Sequence, residues 1–232
     1  MRKIVVASGK GGVGRTTLTA NLGVALAKLG KKVLVMDAGF TTPDLGLLFR
    51  LEGALYTIND VLSGSISPED AMYDGPFGVK VMPMGTTAEH MKRSNPAKFP
   101  ELVRRIEGFD FLLIDAPAGV KREAIAALRS AEEAIFVTLP ETVSISDTLK
   151  SVAIADLLGL KKLGTIVNRV KGEDYEIPAE EIEKILELHV LAEIPEDRSV
   201  TRAGAVGRLF ILSSPNRPAA RALTRLARRL SE

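Results

Sequence analysis

The chain has 232 residues, of which 46% are hydrophobic and 26% charged, as in an ordinary globular protein. Its formal net charge of only +2 implies no general attraction to nucleic acid or anionic lipid. The absence of cysteine excludes disulfides, thiolate zinc sites and cysteine-ligated iron–sulfur clusters. No apolar run approaches the roughly 18 residues of a membrane span, and the N-terminal run is too short for a signal peptide, so we expect a cytoplasmic protein.

Short apolar runs alternate with segments of helical periodicity along the chain. The run KIVVA at Lys3–Ala7 predicts a strand that leads into a glycine-rich loop, and apolar residues at three- and four-residue steps then predict a helix over Thr16–Leu29. Later strands are predicted at Lys32–Asp37, Val79–Pro83, Phe111–Asp115, Ala134–Leu139, Leu163–Asn168, Ala192–Ile194 and Leu209–Leu212. Later helices are predicted at Ala97–Ile106, Arg122–Ser130, Ser146–Leu158, Ala179–Leu188 and Pro218–Leu230.

This alternation predicts an α/β fold, a doubly wound and mainly parallel sheet with helices on both faces in three α/β/α layers. The apolar strands do not alternate cleanly between apolar and polar residues, which is typical of strands buried on both faces. No Pro/Gly/Ser-rich linker divides the chain, so we expect one domain over residues 1–232. Polar residues close several strands, at Ser8, Asp37, Asp115 and Asn168. Ligands bind at this edge of an open α/β sheet, although Asp and Asn also commonly cap helices.

The glycine-rich stretch SGKGGVGRTT, Ser8 to Thr17, suits phosphate binding. Its glycines allow backbone N–H groups to converge, and the helix that follows directs its positive N-terminus at the same point. Thr16 is placed to offer a hydroxyl to Mg²⁺, and Thr17 to bind a phosphate oxygen. The glycines also satisfy the G-x-G-x-x-G pattern of dinucleotide-binding loops, and Asp37 ends the next strand. Asp115, after the four apolar residues FLLI, favours a nucleoside triphosphate because it suits the Mg²⁺ water shell.

Several segments in order resemble the MinD/ParA group of P-loop ATPases with a deviant Walker A motif. SGKGGVGRTT resembles the Walker A loop, MDAGFTTPDLGLLF switch I, LLIDAPAG Walker B and switch II, and VTLPETVSISDTLK a segment of the MinD branch. TIVNRV and AEIPEDRSVTRA resemble the loops beside the adenine base. The resemblance implies a P-loop NTPase that binds ATP or ADP with Mg²⁺, forms an ATP-dependent homodimer and recruits an unidentified protein partner.

The resemblance also implies roles for individual residues. Lys10 is the signature lysine, which reaches the nucleotide of the second subunit, and the implied catalytic residues are Lys10, Asp37 and Asp115. The implied metal ligands are Thr16, Asp37 and Asp115. The implied cofactor-binding residues are Gly9, Lys10, Gly11, Gly12, Val13, Gly14, Arg15, Thr16, Thr17, Asn168, Arg169, Pro195, Glu196 and Asp197.

Two departures from the family pattern bear on hydrolysis. Arg15 occupies the P-loop lysine position, and a planar guanidinium does not replace a compact ammonium without displacement. The switch I pattern D-x-D reads Asp37-Ala38-Gly39 here, so the second carboxylate is missing. Asp44 could substitute for it, but we expect Asp44 to cap a helix that opens at Leu45. We therefore predict a nucleotide-binding positioning protein with slow or absent ATP turnover.

Alternatives to that function remain open. Arg15 could be tolerated, with hydrolysis dependent on a partner, or the chain could be a non-hydrolysing scaffold or localisation factor. A DNA-binding partition protein is less favoured, and the lack of cysteine argues against a metal-cluster carrier. The cargo stays open between cell division, chromosome or plasmid segregation, and surface-organelle placement.

The segment Pro218–Leu230 has an apolar face and an arginine-rich face. In the resembled family such a C-terminal helix can target the membrane, and a basic patch can bind DNA. This segment lacks the Phe or Trp of interfacial helices, so a packed helix with a solvated basic face is favoured over membrane or DNA contact. The chain also lacks glutamine and tryptophan, which suggests a heat-adapted protein. A melting temperature in the mesophile range of about 45–65 °C would count against that.

Overall fold

A computed structural model describes residues 1–93 and 95–232 and contains a sheet of eight strands. These are β1 (Arg2–Ala7), β2 (Val33–Asp37), β3 (Tyr73–Asp74), β4 (Lys80–Met82), β5 (Phe111–Asp115), β6 (Glu133–Thr138), β7 (Lys161–Val170) and β8 (Val190–Pro195). Their order across the sheet is β3-β4-β2-β5-β1-β6-β7-β8. Every neighbouring pair is parallel except β3 and β4, as expected for a mainly parallel sheet.

The helices connect these strands. They are α1 (Arg15–Lys28), α2 (Leu45–Leu48), α3 (Ile58–Ser63), α4 (Ala88–Arg93), α5 (Phe99–Arg105), α6 (Arg122–Leu128), α7 (Thr142–Leu157), α8 (Ala179–Leu186), α9 (Arg198–Ala205), α10 (Phe210–Ser213) and α11 (Pro218–Ser231). Short 3₁₀ turns occupy Glu69–Ala71, Pro76–Gly78 and Pro96–Lys98. No helix in the described ranges is both long and apolar enough to span a bilayer.

The sheet separates two apolar cores. Along β1, Ile4 and Val6 belong to one core, and Val5 and Ala7 to the other, because successive side chains of a strand point to opposite faces. The first core holds the buried side chains of α1 and α11, and the second holds those of α5, α7 and α8. The three-layer α/β/α arrangement is therefore confirmed.

The strand predicted at Leu209–Leu212 is wrong. Phe210–Ser213 forms the short helix α10, and Ser214 donates its backbone N–H to the carbonyl of Phe210 at 2.8 Å. A four-residue apolar run cannot distinguish a buried strand from a buried helical turn. The tertiary structure decides, since the Asn21 side chain of α1 accepts the backbone N–H of Ile211 at 3.0 Å.

Two predicted helix starts are displaced. Helix α7 begins at Thr142, four residues before the predicted Ser146. Helix α5 begins at Phe99, because the preceding Pro96–Lys98 forms a 3₁₀ turn capped by Asn95, whose side chain accepts the Ala97 N–H at 3.1 Å. The last helix agrees with its prediction, since the apolar side of α11 is buried in the first core.

Candidate nucleotide-binding site

The loop between β1 and α1 has a backbone that only glycine adopts readily. Gly12 has a φ of +78° and Gly14 a φ of +88°, both in the left-handed region. A Cβ on Gly14 would also collide with the side-chain amide of Asn168. That amide donates a hydrogen bond to the Val13 carbonyl at 2.7 Å, which ties the end of β7 to the loop.

The backbone N–H groups of residues 10–17 are the main binding feature of the loop. Within residues 1–93 and 95–232, none of these groups donates a hydrogen bond to another protein group. Three of them belong to the first turn of α1, where N–H groups have no partner within the helix. Because polar groups in folded proteins are normally paired, this row of donors suits an anionic ligand with several oxygens.

A cavity of about 480 Å³ opens in front of these donors. It is lined by Ser8, Lys10, Gly11, Gly12, Val13, Gly14, Arg15, Thr16, Thr17, Thr42, Asp44, Leu47, Leu48, Pro117, Ala118, Arg169, Gly204 and Gly207. The loop is therefore open to a ligand, and Arg15 lines the cavity without filling it. Of the predicted loop residues only Gly9 lies outside, where an added Cβ would collide with the α7 backbone at Asp147 and Thr148.

A second cavity of about 150 Å³ adjoins the first, and Gly14, Thr17, Arg169 and Gly204 border both. The second cavity is lined by Asn168, Pro195, Glu196 and Asp197, which lie in the loops predicted beside the base, and by the predicted cofactor-binding residue Arg169. The structure thus brings the two predicted groups, one from the start of the chain and one from near its end, to two cavities that share lining residues.

The carboxylate of Asp197 has a structural task at this second cavity. It accepts the backbone N–H of Ser199 at 2.9 Å as the N-cap of α9, and it pairs with Arg217 at 3.2 Å. Burial acts to raise the pKa of Asp197, but the hydrogen bonds from Ser199 and Arg217 hold it below its usual range. Asp197 is therefore charged, and its contacts with Ser199 and Arg217 stabilise the wall of the second cavity.

Beneath the loop, Arg15, Thr16 and Asp115 form a connected polar cluster. Arg15 donates from Nε to Asp115 Oδ1 at 2.8 Å, and Thr16 donates its hydroxyl to Asp115 Oδ2 at 2.7 Å. Arg15 also donates to the hydroxyl of Ser8 at 3.2 Å. The guanidinium in the lysine position thus points to the Walker B-like carboxylate as well as to the loop.

Asp37 is buried at the same sheet edge and does not line the cavity. Its Oδ1 accepts the N–H of Gly39 at 2.7 Å, and its Oδ2 accepts the N–H of Leu45 at 3.2 Å. Burial and the neighbouring charge of Asp115 raise the pKa of Asp37 to about 7, despite the opposing effect of these hydrogen bonds and of Arg15.

The prediction that Asp44 caps the following helix is wrong. Asp44 precedes α2, but its side chain accepts no cap hydrogen bond, and the N–H of Leu45 is taken by Asp37. The Asp44 side chain lines the larger cavity instead. Burial and the charge of Asp115 raise the pKa of Asp44, while Arg15 lowers it.

The oxygen donors of this site suit Mg²⁺. Among the described residues, no cluster of three His, Cys, Asp or Glu side chains could hold a metal ion by itself. Mg²⁺ bound to a nucleotide needs only one or two carboxylates together with phosphate oxygens. The Thr16 hydroxyl and the Asp115 carboxylate, in mutual contact at 2.7 Å, supply such hard oxygen donors, and Asp37 lies on the neighbouring strand.

Lys10 is exposed on the rim of the larger cavity and has no ion-pair partner in the described part of the chain. Sequence reasoning missed five further lining residues of this cavity. They are Thr42 before α2, Leu47 and Leu48 in α2, Gly204 in α9 and Gly207 after it. Of these, only Gly207 shows a backbone reason for its residue type, since its φ is +58°. Thr42, Leu47 and Leu48 lie in the segment that resembles switch I, but no local pattern marks their side chains as cavity-lining.

A family model described as ParA, the NUBPL iron-transfer P-loop NTPases, matches residues 1–231. The chain belongs to the MinD/ParA family of P-loop NTPases. It is 46% identical over 228 residues to an ATP-binding protein of Methanocaldococcus jannaschii, covering 98% of this chain and 86% of that protein.

Two solved MinD structures are also similar to this member of the MinD/ParA family. The septum site-determining protein MinD of Pyrococcus horikoshii, complexed with Mg-ADP, is 38% identical with a TM-score of 0.95, covering 100% of this chain and 96% of that one. A MinC:MinD cell division protein complex of Aquifex aeolicus contains a chain that is 33% identical with a TM-score of 0.89, with coverage of 100% and 96%.

Proposed function

We propose that this chain binds ATP or ADP with Mg²⁺, dimerises when ATP is bound, and acts in spatial positioning as a MinD-like protein. The observation that carries the proposal is the row of backbone N–H donors at residues 10–17, which face a cavity that shares lining residues with a second one. The first cavity suits the phosphates and the second suits the base. The similar Pyrococcus horikoshii MinD is complexed with Mg-ADP, which supports this assignment.

Thr16, Asp115 and Asp37 would hold Mg²⁺, which supplies charge neutralisation and orientation to the phosphates. The loop N–H groups bind the phosphate oxygens, because converging amides donate several hydrogen bonds to an anion. Asn168 fixes the loop through Val13, and its side-chain oxygen stays available to the base.

We further propose that this chain hydrolyses ATP slowly. The guanidinium of Arg15 contacts Asp115 at 2.8 Å, where the family has a lysine directed at phosphate. Gly39 supplies no carboxylate to orient the attacking water. Asp44 lines the cavity and is the nearest replacement in sequence, but it lies on the exposed segment before α2. A displacement of the reacting groups by about 1 Å can cost roughly a hundredfold in rate.

The dimer is supported by Lys10, which lies exposed at the rim with no ion-pair partner among the described residues. A positioning role is supported by the similar proteins, which are called septum site-determining protein MinD and a MinC:MinD complex. We do not propose iron transfer, the activity in the name of the matching family model, because the chain has no cysteine to bind a cluster.

A non-hydrolysing scaffold is the second candidate, and the Arg15–Asp115 contact favours it. Calorimetry with ADP and with ATP, each in the presence of Mg²⁺, tests the binding proposal, and lack of heat at millimolar nucleotide would overturn it. A phosphate-release assay separates the slow ATPase from the scaffold. Sedimentation with and without ATP tests the dimer. The variant Lys10→Ala should remain monomeric in the presence of ATP.

A further inference from the structure

Arg15 satisfies several oxygens at once. Its Nε donates to Asp115 Oδ1 at 2.8 Å, Nη1 to Ser8 Oγ at 3.2 Å, and Nη2 to Thr16 Oγ1 at 3.4 Å. The two charged side chains are well buried, at 14% exposure for Arg15 and 3% for Asp115. The pair is therefore little screened by solvent, and charge-assisted hydrogen bonds of this kind are among the stronger ones.

These contacts use the oxygens that Mg²⁺ would need. Asp115 Oδ1 accepts from the guanidinium, and Asp115 Oδ2 accepts the hydroxyl proton of Thr16. A lone pair of the Thr16 hydroxyl is directed towards Arg15 Nη2. Mg²⁺ demands near-ideal octahedral oxygen geometry, so it cannot share these donors with a guanidinium at its present position.

A lysine at this position would compete less with Mg²⁺ for the oxygens of Asp115 and Thr16. The guanidinium is a planar fork of five donors that reaches three partners together, whereas an ammonium is a compact point charge. The guanidinium also places a positive charge next to Asp115, which is where a bound metal ion would otherwise place one.

We propose that Arg15 is a tethered cation that competes with Mg²⁺ for Asp115 and Thr16, so that nucleotide binding depends far less on Mg²⁺ than it would with lysine at this position. The inference rests on the proposed nucleotide-binding function. It names Arg15 as the residue that sets the metal requirement of the site.

The test compares ADP affinity in Mg²⁺ with ADP affinity in a chelator. For the wild-type chain we expect a change of less than about threefold, and for Arg15→Lys a loss of about tenfold or more on chelation. Arg225→Lys, at an exposed arginine of α11 that borders neither cavity of the nucleotide site, is the matched control and should behave as wild type. An equal dependence on Mg²⁺ in the wild type and in Arg15→Lys would overturn the proposal.

A second measurement needs no nucleotide and separates the two proposals. If ADP binds none of these proteins, the proposed function fails, and the competition is decided by thermal melting in pyrophosphate, which supplies the phosphate oxygens that Mg²⁺ needs. Since a ligand that binds only the folded state raises the melting temperature, adding millimolar Mg²⁺ to the pyrophosphate should stabilise Arg15→Ala and leave the wild type unchanged. Arg15→Lys serves where Arg15→Ala does not fold. An equal shift in wild type and variant, or no shift in either, contradicts the competition.

Discussion

Asp37 and Asp115 are register partners on the adjacent parallel strands β2 and β5, and both carboxylates are buried. Two buried carboxylates at neighbouring positions disfavour ionisation of both. Arg15 pairs directly with Asp115, whereas Asp37 is held by the N–H groups of Gly39 and Leu45. The two residues therefore share one sheet edge but differ in how their charge is compensated.

The raised pKa of Asp37 predicts that the free energy of unfolding depends on pH. Its pKa is about 7 in the folded protein against an ordinary 3.8, so between those values the folded protein retains a proton that the unfolded chain releases. The contribution of Asp37 to the free energy of unfolding consequently falls as pH rises from about 4 to about 7, and levels off above. In melting curves across this range, the stability of Asp37→Asn relative to wild type should improve as pH rises. A difference that stays constant with pH would contradict this assignment.

Gly14→Ala should weaken nucleotide binding by about tenfold or more. Alanine at a φ of +88° costs about 1–2 kcal/mol, and its Cβ would displace the Asn168 amide from Val13. Gly11→Ala is the matched control, because Gly11 is not in the left-handed region and an added Cβ there meets no atom within 4 Å. Calorimetry with ADP measures both variants. Equal affinity of the two variants would show that the loop conformation is not what binds phosphate.

Gly9→Ala should destabilise the whole fold. Its Cβ would meet backbone atoms of Asp147 and Thr148 in α7, which cannot rotate away as a side chain can. Overpacking of this kind costs about 1–3 kcal/mol of unfolding free energy. Gly53→Ala, where an added Cβ meets nothing within 4 Å, should remain near wild type in the same denaturant titration. A Gly9→Ala protein as stable as Gly53→Ala would contradict the close contact between loop and helix.

Restoring the family carboxylate by Gly39→Asp should not by itself restore ATP turnover. A Cβ on Gly39 would lie 2.8 Å from Asp37 Oδ1 and 2.9 Å from the Thr42 carbonyl, so the switch segment must shift. We expect a lower melting temperature, matched by Gly39→Ala, which adds only the Cβ. Phosphate release should rise only when Arg15→Lys is combined with it. Faster release from a fully stable Gly39→Asp protein would refute this expectation.

Asp197→Ala should weaken the binding of ADP but leave that of pyrophosphate unchanged. The variant loses the N-cap of α9, at a cost of about 1 kcal/mol, and loses the ion pair with Arg217 that holds the wall of the second cavity. Gly14→Ala, in contrast, should weaken both ligands because it alters the phosphate loop. Competition binding with the two ligands distinguishes the cases. A parallel loss of pyrophosphate binding in Asp197→Ala would place Asp197 in the phosphate site.

The sequence by itself determined the layered fold and the glycine-rich turn before α1. Strand–helix alternation and apolar strands require burial on both sheet faces, and the glycines allow the left-handed backbone that Gly12 and Gly14 adopt, because these are local consequences of backbone geometry. The assignment of the site residues, and of one domain over residues 1–232, stays a prediction.

Only the tertiary structure decided which side chains meet. Arg15 and Asp115 are 100 residues apart, and no local pattern shows that the guanidinium contacts the carboxylate. The same holds for α10, where a side chain from α1 selects a helical turn, and for Asp44, whose cap role is taken by Asp37. These contacts depend on which residues packing brings within hydrogen-bond distance of each other. Packing at the sheet edge joins residues that are far apart in sequence, so a local pattern cannot show them.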